Sequence, residues 1–174
     1  KLTIPHKYGV QFSCNNITGF PTETKKLAFD TIELNRHIEA DNQNIYAFVP
    51  FHGTPLRRLT DQMGLTTHET ITKCLSDRPQ INMPQYTPDQ IEGIKRTFVL
   101  YVKFPKSRWK DIEKAEKFTN EGNKIYKELK SFHENHKVNK SNLSKLDFKI
   151  LKLKNISFNY PGSEKMILKN VNFE

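Results

Sequence analysis

Two apolar runs separated by one amphipathic helix constrain this chain more than any other feature. Residues 10–17 (VQFSCNNI) lie between Gly9 and a Gly19-Phe20-Pro21 turn, which suits a short, mostly buried strand. Thr22-Glu23-Thr24 then supply capping chemistry, and Leu27, Ala28, Thr31, Ile32, Asn35 and Ile38 recur at steps of three and four. That spacing predicts a helix over 22–40. Asp41-Asn42-Gln43-Asn44 reads as a polar loop, and residues 45–49 (IYAFV) read as a second strand ended by Pro50. Two apolar strands joined through one helix form a βαβ unit, so they are expected to lie parallel in an α/β sheet or barrel.

Beyond residue 60 the periodicity becomes helical. Thr87-Pro88-Asp89-Gln90 places a hydroxyl cap, a proline at the first helical position and an acid near the positive end of the dipole. The helix it opens carries Ile91, Ile94, Phe98 and Tyr101 or Val102 and stops before Pro105. Ser107 can cap the next helix, in which Ile112, Ala115, Phe118, Gly122, Ile125, Leu129 and Phe132 hold one face. This predicts one long amphipathic helix over 107–132. Residues 133–146 (HENHKVNKSNLSKL) are polar, basic and weakly patterned, as in a linker. Phe148, Ile150, Leu151, Leu153, Ile156 and Phe158 then suit a strand, Tyr160-Pro161-Gly162-Ser163 a turn, and 166–173 a second strand. The expected organisation is an α/β part over 1–60, a helical part over 61–136, a basic linker over 137–147 and a hairpin over 148–174.

Charge narrows the function classes. The chain carries a formal +9, but 15 Lys or Arg against 7 Asp or Glu fall between Lys103 and Lys154, leaving +1 for the rest. Those lysines alternate with acids at helical spacing and form no recognition-helix pattern, so a solvated helix face is expected rather than a specific nucleic-acid partner. The longest apolar runs are about five residues, far short of the roughly 18 that read as a membrane span. No basic-then-apolar leader opens the stretch, which begins at Lys1 rather than Met. Cys14 and Cys74 are too few and too distant for a disulfide framework. They read as reduced, partly buried thiols of a cytoplasmic protein.

Catalytic constellations are scarce. The histidines at 6, 37, 52, 68, 133 and 136 include no HExxH, and no GxSxG, GxGxxG or GxxxxGK[ST] occurs. His133 and His136 are spaced by three but fall at an expected helix end, so no metal site is assigned. Composition and spacing alone state no reaction.

Two segments resemble known families. Residues 16–24 (NITGFPTET), followed by 46–56 (YAFVPFHGTPL), resemble the later strands of radical S-adenosylmethionine (SAM) enzymes. They are closest to the subgroup with an upstream cobalamin-binding domain, where an IxGFPxET strand end precedes an FxP(Y/F)xGTPL strand end. The resemblance covers roughly residues 8–60, and the helical stretch to about 135 is similar to that subgroup's post-barrel tail. It implies an α/β fold: part of a parallel (β/α) radical SAM barrel with an α-helical tail. Ile17 and Gly19 would line the adenine side of SAM, Glu23 belongs to the same motif, and the backbone near Phe48, Val49 and Pro50 would face the same ring. Asn16 stands where many members have glycine. The family's [4Fe-4S] cluster needs three thiolates in a CxxxCxxC loop, which Cys14 and Cys74 cannot form. The resemblance places that loop upstream, so this chain is expected to be inactive alone, with a small-molecule cofactor and a substrate the sequence does not name. Gly19 and Gly53 fit such strand ends, because glycine permits positive φ and close backbone approach.

Residues 153–162 (LKNISFNYPG) with 167–173 (ILKNVNF) resemble the opening of an ABC transporter ATPase domain, which implies a short hairpin of an incomplete second domain. There Tyr160 would stack on the adenine of ATP. The phosphate-cradling loop of that family would fall beyond Glu174, so ATP hydrolysis is not expected here. An ATP-driven transporter component is therefore the alternative reading. A non-catalytic α/β interaction module follows if both resemblances are accidental.

Overall fold

The computed structural model describes residues 4–38, 40–75, 77–143, 153–158 and 168–173, with side chains as far as residue 135. The chain divides into two compact units, Lys1–Glu134 and Asn135–Glu174.

In the first unit, β1 (Ser13–Thr18) and β2 (Asn42–Ala47) pair in parallel, with Ser13 opposite Asn42 and Thr18 opposite Ala47. The Phe48 N–H extends the ladder to the Thr18 carbonyl at 2.7 Å. The expected parallel βαβ unit is present. The described residues make a mixed α/β unit with a two-stranded sheet, and a closed barrel is not among them. β2 starts earlier than its apolar run, because the polar residues expected to form a loop find partners within the unit. Gln43 Nε2 donates to the Asn35 carbonyl at 3.0 Å, and Asn44 Nδ2 to Asn15 Oδ1 at 3.0 Å.

β1 is not the mostly buried strand its composition suggests. Its burial alternates: Cys14, Asn16 and Thr18 are covered to differing degrees, whereas Ser13, Asn15 and Ile17 are exposed. Successive side chains of a strand point to opposite faces. Here α2 (Lys25–Ile38) lies against β1 and α4 (Pro88–Lys103) against β2, leaving the other sheet face open.

α2 is shorter than expected at both ends, with Thr24 Oγ1 accepting from the Leu27 N–H at 3.3 Å. It buries Ala28, Ile32 and Asn35, while Leu27, expected on the inner face, is 49% exposed. The flank that meets α4 carries Phe29 and Arg36 instead. Arg36 Nη1 donates to the carbonyls of Tyr101, Val102 and Phe104 at 2.7, 3.0 and 2.6 Å. These are orphan acceptors at the end of α4, so a cation from another helix closes that helix. α4 itself follows the sequence closely. Thr87 and Gln90 form a reciprocal capping box, Pro88 opens the helix, and Ile91, Ile94, Phe98 and Tyr101 are buried.

The single helix expected over 107–132 is broken. A 3₁₀ turn (Lys106–Arg108) leads into α5 (Trp109–Ala115), the chain turns at 116–119, and α6 runs from Asn120 to Leu143. Ser107 lies inside the 3₁₀ turn and is not a cap. Thr119 Oγ1 accepts from the Gly122 N–H at 3.1 Å, and its carbonyl accepts from Asn123, so threonine restarts the helix. Phe118, expected on the buried face, is 59% exposed and lies 4.8 Å from the Arg96 guanidinium, which also stacks on Tyr126 at 4.1 Å. Heptad-like spacing carried through the break because both helices use apolar residues at similar steps. α6 also covers much of the stretch expected as a linker.

Glycine permits the break. A Cβ on Gly122 would run into the carbonyl oxygens of Lys117 and Lys114, and one on Gly93 would sit 2.9 Å from the Glu116 Cβ. Gly122→Ala is therefore expected to destabilise the first unit by about 2 kcal/mol through overpacking against backbone that has little room to yield. Urea unfolding of the two proteins measures this; an unchanged midpoint would refute the close approach.

Before β1, the short α1 (Ile4–Lys7) is tied down by His6, whose Nε2 lies 3.2 Å from Asp41 Oδ2. The same carboxylate oxygen accepts from the Phe12 N–H at 3.0 Å. Burial alone would raise the Asp41 pKa, but the Phe12 hydrogen bond, then the hydrogen bond and charge of His6, outweigh it and hold it below the usual value. A depressed native pKa contributes stability above the unfolded value near 3.8, lost as pH falls through the native one. Asp41→Asn should thus be less stable than the wild type at pH 6, with the gap closing toward pH 2 in acid-unfolding curves.

The second unit holds β3 (Leu153–Phe158) and β4 (Leu168–Phe173), antiparallel, with Leu153 opposite Phe173 and Phe158 opposite Leu168. The two apolar runs expected to pair as a hairpin are thus antiparallel over the residues described. Phe148, Leu151 and Tyr160 lie outside the described residues. No helix among the described residues is long and apolar enough to cross a membrane.

Candidate functional site at the strand ends

The carboxyl ends of β1 and β2 lie side by side; of the residues singled out from sequence, Asn16 and Ile17 sit on β1 itself and Gly19, Glu23, Phe48, Val49 and Pro50 in the segments leaving the two strands. The first loop turns at Gly19, with φ of +88°, where Ile91 of α4 packs below the missing Cβ at 3.0 Å. The positive φ strains any larger residue here, and Ile91 would have to shift to admit its Cβ. The loop is held from inside by Glu23. Its carboxylate is 8% exposed and accepts from the Gly19 N–H, from the Phe20 N–H at 3.0 Å, and from Thr18 Oγ1 at 3.3 Å. Thr18 Oγ1 also lies 3.1 Å from the Tyr86 hydroxyl, which is fully buried. Burial raises the Tyr86 pKa well above its usual range, the Thr18 hydrogen bond opposes this, and the Glu23 charge adds to it. Tyr86 is therefore a neutral phenol bridging the segment before α4 to the end of β1.

The second loop is fastened by a residue that sequence reasoning missed. Arg57 of α3 (Pro55–Gln62) is 3% exposed, and its guanidinium donates to the carbonyls of Pro50, Thr67 and Thr70 at 3.0, 2.6 and 3.0 Å and to Asp61 Oδ1 at 3.0 Å. Thr54 caps α3 by accepting from the Arg57 N–H at 3.2 Å. The hydrogen bond from Thr66 contributes most to lowering the Asp61 pKa, with Arg57 adding to it against burial.

The sequence-derived residues thus have separate placements. Ile17 is 45% exposed on the open sheet face, directly across from Tyr46, which is 37% exposed. Asn16 points the other way, exchanging hydrogen bonds with Asn35 at 3.1 and 2.7 Å and donating to the Asn44 carbonyl at 3.0 Å. Gly19 and Glu23 meet each other. Phe48 and Val49 are buried, with Phe48 against Phe20 at 5.3 Å, and the Pro50 carbonyl is engaged by Arg57. Tyr160 lies outside the described residues. Tyr46, Tyr86 and Arg57 are additions; only Tyr46 had a signal, as the alternate position in an apolar strand.

What the arrangement offers a ligand is an apolar pair, Ile17 and Tyr46, above the Asn15–Asn44 amide pair on one open face. The amides of Gly19 and Phe20 already have their acceptor. Cys14 is half-buried and Cys74 exposed, contrary to the partly buried state expected of the latter, and among the described residues no three His, Cys, Asp or Glu converge as metal ligands.

No protein-family profile matches the chain, and no solved structure does. Nothing in the comparisons supports the ABC-type reading of residues 148–174 or a cobalamin partner. Over 65 residues the chain is 35% identical to the tRNA-2-methylthio-N(6)-dimethylallyladenosine synthase of Halalkalibacterium halodurans, a match spanning 37% of this chain and 12% of that protein.

Proposed function

We propose that residues 8–60 are a piece of a radical SAM barrel whose two strand ends meet the adenine side of SAM, with the helical residues up to about 135 as its tail. One observation carries the reading: the two motif-bearing strands pair in parallel, with Ile17 and Tyr46 adjacent on an open face at their carboxyl ends. Barrel enzymes place ligands at that end of their strands. The partial match to a synthase of the radical SAM group supports the same reading.

The fit to each implied group differs. A flat apolar ring fits against Ile17 and Tyr46. Gly19, Glu23 and Pro50 act by holding the loops in shape, since their polar atoms are already paired with one another or with Arg57. An iron–sulfur cluster does not fit this chain's two cysteines, so no chemical step is assigned to it here. The tRNA adenosine in the relative's name is the product of that protein, and no residue of this unit is assigned to RNA.

The test is a chimera in which residues 8–60 replace the corresponding segment of the Halalkalibacterium synthase. After anaerobic iron–sulfur loading, the chimera should form 5′-deoxyadenosine from SAM, and Ile17→Asp within it should lower that at least tenfold. A fully loaded chimera without SAM cleavage would end the reading. The 174-residue chain treated the same way should show neither cluster absorption nor 5′-deoxyadenosine.

A further inference from the structure

A cleft of about 380 Å³ lies in the helical layer, on the side of the sheet opposite Ile17 and Tyr46. Its floor is aromatic. Phe29 of α2 packs edge-on to Tyr101 of α4 at 5.0 Å, and Tyr101 edge-on to Trp109 of α5 at 5.3 Å. Its rim carries Lys25, Lys26 and Lys110, with Glu113 as the one acid lining it. Lys25 is committed to the buried Glu116 at 2.6 Å. Lys26 and Lys110 are exposed and form no ion pair among the described residues. The Trp109 indole N–H is buried and has no acceptor among the described residues.

Each feature has a bland explanation alone, since lysines often face solvent and aromatic clusters usually pack cores. Together they are complementary to one kind of molecule. An apolar floor of this size accepts a flat ring, and ammonium groups at its mouth favour anionic oxygens. We propose that this cleft binds a planar ring carrying a phosphate, of the nucleoside monophosphate class. Lys26 and Lys110 hold the phosphate, and the ring lies on Phe29 and Trp109. Nothing in this rests on the SAM reading, which uses the opposite face of the sheet.

Trp109 is the chain's single tryptophan, so its fluorescence reports on the cleft directly. Titration of the full chain with AMP should change the emission saturably. Adenosine and inorganic phosphate, each lacking half of the ligand, should bind at least tenfold more weakly. The charge-reversed K26E/K110E protein should lose at least tenfold in AMP affinity with its melting temperature unchanged, because both side chains are exposed and unpaired. Glu113→Gln should tighten binding a few-fold by removing the opposing charge. Raising the salt concentration should weaken AMP and leave adenosine unaffected. A change that is linear in ligand, equal affinity for adenosine and AMP, or indifference to K26E/K110E would each overturn the proposal. Ile17→Asp should leave this titration unaltered, which keeps its outcome separate from that of the strand-end site.

Discussion

Replacing Arg57 by methionine is expected to destabilise the first unit by about 2–3 kcal/mol, the loss of hydrogen bonds made by a charged donor that is itself 3% exposed, while its carboxylate partner Asp61 faces solvent. Methionine keeps most of the side chain's volume, so the loss isolates the guanidinium. Without it the Thr70 carbonyl loses its guanidinium donor, while the Pro50 carbonyl keeps the Thr72 hydroxyl at 3.4 Å and the Thr67 carbonyl the Thr70 N–H at 2.9 Å; a buried group left unsatisfied costs about 1–3 kcal/mol. Residues 64–72 should then detach from the loop after β2. Urea unfolding gives the magnitude, and hydrogen exchange gives the location, with amides around Thr66 and Thr70 losing protection first. Arg57→Lys should recover little, because one ammonium cannot reproduce a fork that reaches three carbonyls and a carboxylate. A loss under 1 kcal/mol for methionine would show that water enters and satisfies these carbonyls.

Glu23→Ala is the second large effect, about 2–4 kcal/mol, because the Gly19 and Phe20 amides lose their acceptor together. The two amides should exchange much faster with solvent. Glu23→Gln keeps one carbonyl oxygen at the same reach and should recover about half the loss. If Glu23 were only a first-turn acid favouring the helix dipole, both variants would cost no more than about 1 kcal/mol, and the Gly19 amide would be unaffected. The Tyr86 hydroxyl, touching Thr18 from the far side, should make Tyr86→Phe additive with neither variant.

These two side chains mark the limit of what the sequence made legible. The βαβ unit and its parallel sense were readable, because two apolar runs around one amphipathic helix admit few topologies. α4 was readable to its boundaries, since Thr87, Pro88 and Gln90 are local signals acting on neighbouring backbone. Glu23 was singled out from its motif but its hold on the Gly19 and Phe20 amides was not readable, and Arg57 was not identified at all. Their partners are backbone atoms three to thirteen residues away in loops, and no periodicity encodes which carbonyl a guanidinium will find. The open sheet face was invisible for a related reason. Ile17 and Tyr46 look as apolar as buried strand residues, and only the position of α2 and α4 decides which face is covered. The break at 116–119 escaped notice because Thr119 caps a helix inside an apolar pattern that stays in phase on both sides. Of the site, the motif positions were identified, but their division of labour emerged from the hydrogen bonds.

Arg36 has a consequence for motion. Three acceptors at the end of α4 depend on one donor borne by α2, so the two helices cannot part without stranding all of them at once. Thermal opening should therefore treat α2 and α4 as a single cooperative block, their slowest-exchanging amides sharing one free energy and one denaturant dependence. Whatever adjustment the strand ends make to a ligand must then arise in the loops after β1 and β2, riding on a platform that moves as one piece.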